Sequence, residues 1–129
     1  MTTASNLAAF VACLLVVALV IFQILLAVGR PLGRAAFGGK FLVLPKQLRF
    51  ASGVSALLFV AALYFILARA GKFGGVRNSS TIHVGIWIFV GVFALSTIAN
   101  AASASRWERR CMAPIALVLT TCTLVIALH

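Results

Sequence analysis

Residues 7–28 read LAAFVACLLVVALVIFQILLAV and contain no charged side chain. Gln23 is the one strongly polar residue in this run. A helix of about 20 apolar residues is long enough to cross the hydrocarbon core of a bilayer. Lipid offers no partner for free backbone N–H and C=O groups, so the run is expected to be helical. It therefore predicts a first transmembrane helix.

Three further apolar runs follow, each about 18 to 22 residues long. They cover residues 50–68, 82–102 and about 111–128. None of them alternates apolar and polar residues as the strands of a membrane barrel do. The sequence therefore predicts an all-α, polytopic membrane protein with one domain, residues 1–129, in which four transmembrane helices form an antiparallel bundle.

The composition supports this fold class. Of the 129 residues, 64% are hydrophobic and only 9% are charged, whereas about a quarter of the residues in an ordinary soluble domain are charged. A soluble domain of this length leaves much of its surface in water and has no interior large enough for so many apolar side chains. Most of the chain is therefore expected to face lipid.

The charge is strongly unbalanced, with eleven lysines and arginines against a single acid, Glu108. A net charge of +10 can indicate a nucleic-acid-binding protein. Here the cations lie between long apolar runs rather than on one soluble face, which argues against nucleic acid. Such cations are typical of loops that set membrane topology and contact anionic lipid headgroups.

The cations are concentrated in two of the three connectors. We name these segments the first connector (Gly29–Arg49), the second connector (Lys72–Thr81) and the third connector (Ala104–Arg110). The first and third together carry Arg30, Arg34, Lys40, Lys46, Arg49, Arg106, Arg109 and Arg110. The opposite side has Arg69, Lys72 and Arg77. The positive-inside rule then predicts a multi-pass plasma-membrane protein with both of these connectors in the cytoplasm and both termini outside.

Polar side chains gather at one depth once this topology is assumed. The set predicted to form a polar layer in the cytoplasmic leaflet comprises Gln23, Ser52, Ser55, Ser96 and Asn100. An amide in lipid needs a partner, so these side chains are expected to point into the bundle. Two interpretations remain open. The layer either supplies hydrogen bonds between helices or lines a shallow cavity that opens to the cytoplasm.

No catalytic, metal or cofactor site is predicted. Acid–base catalysis usually needs a pair of titratable groups, and the topology places His83 and His129 a bilayer away from Glu108. The spacing Ser105-x-x-Glu108 is that of a helix-capping box, and three arginines lie close by in sequence. We therefore interpret Ser105 and Glu108 as a helix cap or ion pair. The start of the fourth helix stays open. A start well before Pro114 would place this proline inside the helix and produce a kink, whereas a start near Pro114 would place it in the first turn, where it is tolerated.

The first connector mixes cations with glycines and apolar residues. It either lies on the membrane surface or folds back under the bundle, or it is an ordinary loop whose cations reach the headgroups. Its stretch GRAAFGGK (residues 33–40), together with SRWER (residues 105–109), resembles a family of small four-helix membrane proteins found in many bacteria. The resemblance implies the four-helix architecture and a place in the bacterial plasma (inner) membrane, and it implies no activity.

Two functions are consistent with these features. The first is a non-enzymatic small subunit or accessory protein, acting by association with itself or with a larger membrane complex, because helix faces and basic connectors are the available contact surfaces. The alternative is a homo-oligomeric channel or small-solute transporter that uses the polar layer as its lining.

Overall fold

A computed structural model describes residues 3–129, and in this range the chain is helical with no strand. The four long helices are α1 (Thr3–Ala27), α2 (Lys46–Arg69), α3 (Ser80–Ala101) and α4 (Ala113–Leu128). Each is long and apolar enough to cross a membrane when α4 is counted from Glu108. The predicted number and order of apolar helices with the length of a membrane span are therefore confirmed within the described residues.

The helices differ from the predicted runs mainly at their ends. α1 begins at Thr3 rather than residue 7, and α2 begins at Lys46 rather than residue 50. Apolar composition ends at the membrane boundary, whereas backbone hydrogen bonding continues for another turn among polar residues. The apolar runs thus locate the helix centres better than the helix ends.

The core is built from small residues on α1 that face larger ones on the other helices. Ala8, Ala12 and Val16 are almost completely buried, and their i, i+4 spacing places them on one face. They belong to a cluster that also contains Ile66 of α2 and Leu119 of α4. α1 packs against α2 and α4, and α3 packs against the same two helices.

Aromatic rings fill the contact between α2 and α3. Phe65 lies against Phe89 with ring centroids 5.8 Å apart, and Phe59 stacks on Phe93 at 6.3 Å. Gly85 allows the closest approach, since a Cβ atom there would lie 2.1 Å from the Phe65 ring. The absence of a side chain at this position therefore sets the distance between the two helices.

A glycine caps the C-terminal end of α1. Gly29 has φ +94°, a left-handed conformation that glycine adopts at little cost. The Arg30 N–H donates to the Leu25 carbonyl at 3.0 Å and the Gly29 N–H to that of Leu26 at 3.1 Å, which is a Schellman ending. Arg49 adds a further cap by donating from Nε to the Ala27 carbonyl at 2.9 Å.

The chain reaches Pro114 through a π-helical turn, Glu108–Met112, that leads directly into α4. The Ala113 N–H donates to the Glu108 carbonyl, five residues earlier. Proline has no N–H and its ring collides with the carbonyl four residues before it, and the wider π turn accommodates both effects. The question left open by the sequence is thus answered: Pro114 lies in the first turn of α4, and the preceding turn is helical but not α-helical.

Candidate functional site

The first connector folds back under the bundle. Its residues Ala36 and Leu44 are buried against Leu26 of α1, with Phe22 and Leu48 packed around them. Leu42 and Val43 remain half exposed. Of the conformations considered from the sequence, the structure therefore has the folded-back one, which is held by two short 3₁₀ turns, Gly33–Ala35 and Phe37–Gly39.

Glu108 joins the first connector to the start of the fourth span. Its Oε1 accepts the Gly38 N–H at 2.9 Å and the Ser103 hydroxyl at 2.5 Å. Ser105 Oγ in turn donates to the Arg34 carbonyl. We call this set of contacts between Arg34, Gly38, Ser103, Ser105 and Glu108 the connector junction. It brings together the two segments that carry the family resemblance.

The predicted capping box is present in a modified form. The Glu108 N–H donates to Ser105 Oγ at 3.3 Å, as the motif requires. The reciprocal contact of the motif, between the Glu108 carboxylate and the Ser105 N–H, is indirect. The Ser105 N–H donates to Ser103 Oγ at 3.0 Å, and the Ser103 hydroxyl donates to Glu108. The carboxylate therefore acts at the cap, and its hydrogen bonds come from a hydroxyl and an amide rather than from a guanidinium.

A cavity of about 330 Å³ lies between the helices beside this junction. Its wall contains four of the five residues predicted for the polar layer, and Glu108 as well. Ala35, Ala36 and Phe37 of the first connector border it, and Phe37 is held at φ +49°, a left-handed conformation that is rare for a bulky residue. The predicted members of the wall are Gln23, Ser55, Ser96 and Asn100.

The hydrogen bonds of these side chains run mostly within their own helices. Asn100 Nδ2 donates to the Ser96 carbonyl at 2.8 Å, and Ser55 Oγ donates to the Ala51 carbonyl at 3.0 Å. Gln23 Oε1 is buried and accepts no hydrogen bond from any described residue. Gln23 and Asn100 thus share a cavity without bonding to each other.

The fifth predicted residue, Ser52, lies elsewhere. It is fully buried outside the cavity wall, and its hydroxyl has no hydrogen-bond partner within residues 3–129. Threonines that were not assigned to the layer make a contact between α3 and α4, with Thr97 Oγ1 and Thr120 Oγ1 3.4 Å apart.

All eight cations of the first and third connectors are exposed. Three of them bind backbone carbonyls near the junction: Arg34 contacts Gly39 at 3.1 Å, Arg49 contacts Ala27, and Arg109 contacts Ser103 at 2.8 Å. These arginines therefore have a structural role besides their charge. The others are Arg30, Lys40, Lys46, Arg106 and Arg110.

A buried cation lies at the C-terminal end of α2. Arg69 is only 8% exposed, and its Nη1 donates to the Arg77 carbonyl at 2.9 Å. The Arg77 guanidinium reaches the His129 carbonyl. His83 is exposed, and no group of histidine, cysteine and acidic side chains suited to a metal occurs among residues 3–129.

Comparison of the chain with protein-family models, with curated proteins and with solved structures finds no match. The functional argument therefore rests on the geometry of the cavity. Two features of the cavity were not predicted from the sequence. Glu108 is part of its wall, and so are four phenylalanines: Phe22, Phe37, Phe59 and Phe93.

Proposed function

We propose that this chain is a multi-pass protein of the bacterial plasma membrane that binds a small solute between its helices and transfers it to or from the cytoplasm. The observation that carries the proposal is the cavity that gathers Gln23, Asn100 and Glu108 within one chain. A buried acceptor without a partner, such as Gln23 Oε1, costs about 1–3 kcal/mol. A bound ligand or water would recover that free energy.

The arrangement in the membrane is part of the same proposal. The four helices form an antiparallel bundle in the bilayer, with the first and third connectors on the cytoplasmic side and both termini outside. The eight exposed cations at the connectors contact anionic headgroups. The cavity then opens near the cytoplasmic surface, since Glu108 and the first connector form that end of its wall.

Association with a larger complex, the first function predicted from the sequence, has less support from the geometry. The small residues that favour close helix packing, Ala8, Ala12, Ser52 and Ala56, are buried within one chain. They therefore stabilise the bundle itself and are not available to a partner. A single chain also provides the cavity wall, so the proposal does not require the oligomer of the alternative prediction.

Cysteine accessibility tests the proposal without knowledge of the solute. In a background without Cys13, Cys111 and Cys122, the variants Ser96→Cys and Leu95→Cys place a thiol at neighbouring depths. Ser96 borders the cavity, whereas Leu95 is 68% exposed on the outer surface of the helix. A small water-soluble methanethiosulfonate should react at least about tenfold faster at position 96, because only the hydrated thiolate is reactive.

When Gln23→Leu or Asn100→Leu is combined with Ser96→Cys, the reaction at position 96 should be slower, because each substitution removes a polar group from the cavity wall. Equally slow labelling at positions 95 and 96 would show that water does not enter the cavity. The solute-binding function would then be wrong.

A further inference from the structure

The cavity wall carries a single formal charge, and this charge is negative. Glu108 is the only acid among 129 residues, and it forms part of the wall. No lysine, arginine or histidine is among the residues that line this cavity. At short range this wall favours a positively charged ligand over an anion, although the net charge of the whole chain is +10.

The carboxylate retains capacity to bind such a ligand. Both hydrogen bonds from Gly38 and Ser103 go to Oε1, and Oε2 receives none from the described residues. Gln23 belongs to the same wall, and its Oε1 is buried and also lacks a partner. Two acceptor atoms on residues of this wall thus receive no hydrogen bond from the described residues.

Apart from Glu108 and four amide and hydroxyl side chains, the wall is apolar and aromatic, and this disfavours a bare metal ion. Affinity for a hard cation such as Ca²⁺ depends on the number of charged oxygen ligands, and Glu108 is the one carboxylate of this wall. Aromatic faces instead stabilise organic cations through their ring quadrupoles. Four phenylalanines are present in the wall: Phe22, Phe37, Phe59 and Phe93.

A smaller cavity of about 160 Å³ continues the site between α2 and α3. It shares Ser55, Phe59, Phe93 and Ser96 with the larger cavity and is otherwise apolar. Its members Leu58 and Val92 are 57% and 45% exposed on the outside of the bundle. An alkyl substituent fits here while the charged end remains near Glu108.

We infer that the cavity binds an organic cation: an ammonium group at Glu108 and Gln23, with alkyl substituents directed toward the space between α2 and α3. This inference rests on the proposed function, since it names the chemical class of its solute. The ammonium group comes either from a water-soluble alkylammonium compound or from the headgroup of an aminophospholipid.

Equilibrium binding of radiolabelled butylammonium tests the soluble source, because its primary ammonium group supplies the N–H donors that Glu108 and Gln23 would accept. The full chain is placed in nanodiscs of phosphatidylglycerol, which contain no lipid ammonium, and binding to empty nanodiscs is subtracted. Saturable binding is expected, with competition by alkylammonium ions that strengthens with chain length. Alkyl sulfonates of equal length should not compete, and this comparison needs no variant of the protein.

Two variants separate the charge of Glu108 from its role in the connector junction. Glu108→Gln keeps an acceptor for Gly38 and Ser103 but removes the charge, and it should weaken binding at least about tenfold. Ser105→Ala removes the bond to the Arg34 carbonyl and the bond from the Glu108 N–H but keeps the Glu108 charge, and Ser105 is not itself among the residues of the cavity wall. It should change binding less than about threefold.

Native mass spectrometry tests the lipid source. In nanodiscs of equal parts phosphatidylethanolamine and phosphatidylglycerol, the wild-type chain should retain phosphatidylethanolamine and Glu108→Gln should lose that preference. Retention of this lipid without butylammonium binding would assign the headgroup, and the reverse would assign the soluble cation. Absence of both, or equal competition by sulfonates, would overturn the inference, while rapid labelling at position 96 would leave the proposed function in place.

Discussion

At the scale of single residues, two neighbouring glycines of the first connector have different roles. Gly38 and Gly39 have φ +78° and +74°, conformations that L side chains rarely adopt. A Cβ at position 39 would lie 2.8 Å from Ser105 Cβ, whereas a Cβ at position 38 would meet nothing within 4 Å. The connector junction thus depends on the small size of Gly39 and only on the backbone freedom of Gly38.

The pair gives a matched test of the junction. Gly38→Ala should lower the free energy of unfolding by about 1 kcal/mol through backbone strain alone. Gly39→Ala should cost about 1–3 kcal/mol more, because overpacking against Ser105 is added. Thermal unfolding in detergent measures both. Equal losses would mean that the contact with Ser105 does not constrain the connector.

The amides of the cavity wall give a second test at this scale. Gln23→Leu should leave stability unchanged or raise it by about 1 kcal/mol, because it removes a buried acceptor without a partner. Asn100→Leu should lower stability by about 0.5–1.5 kcal/mol, because it removes a hydrogen bond to the Ser96 carbonyl. A clear loss of stability in Gln23→Leu would instead indicate that Gln23 supplies an interhelical hydrogen bond, the other interpretation of the polar layer.

At the scale of the helices, the contact between α2 and α3 depends on Gly85. Gly85→Ala places a methyl group 2.1 Å from the nearest Phe65 ring atom and should cost about 1–3 kcal/mol. Gly91→Ala, on the same helix, meets nothing within 4 Å and should stabilise α3 by about 0.5–1 kcal/mol. Unfolding of the two variants under identical conditions measures the difference, and equal stability would contradict the packing described here.

At the scale of the whole molecule, the orientation in the membrane is a separate prediction. In the background without native cysteines, Lys72→Cys should react with an impermeant maleimide in intact cells, and Lys40→Cys only after permeabilisation. The physical reason is the asymmetry of cations between the two sides. Both positions lie in exposed connectors, so each controls for the accessibility of the other. Labelling of position 40 in intact cells would contradict the orientation.

The polar layer shows which features of the cavity can be predicted by counting residues along the sequence. Counting residues from the helix ends predicted a common depth for Gln23, Ser55, Ser96 and Asn100, and the structure places all four in one cavity wall. The same counting assigned Ser52 to the layer, but this side chain is buried elsewhere. Depth follows from the rise of about 1.5 Å per residue, whereas direction around the helix axis does not.

The sequence alone determined the number and order of the apolar helices that are long enough to span a membrane, and the concentration of cations in two connectors. These properties depend on the length of an apolar run relative to the thickness of a bilayer, and that comparison is local. The tertiary structure alone decided the connector junction, the π turn before Pro114 and the place of Glu108 in the cavity wall. When a helix is apolar on all sides, its sequence does not indicate which face points into the bundle. Which polar groups meet is therefore decided by the packing between helices and by the folded connectors.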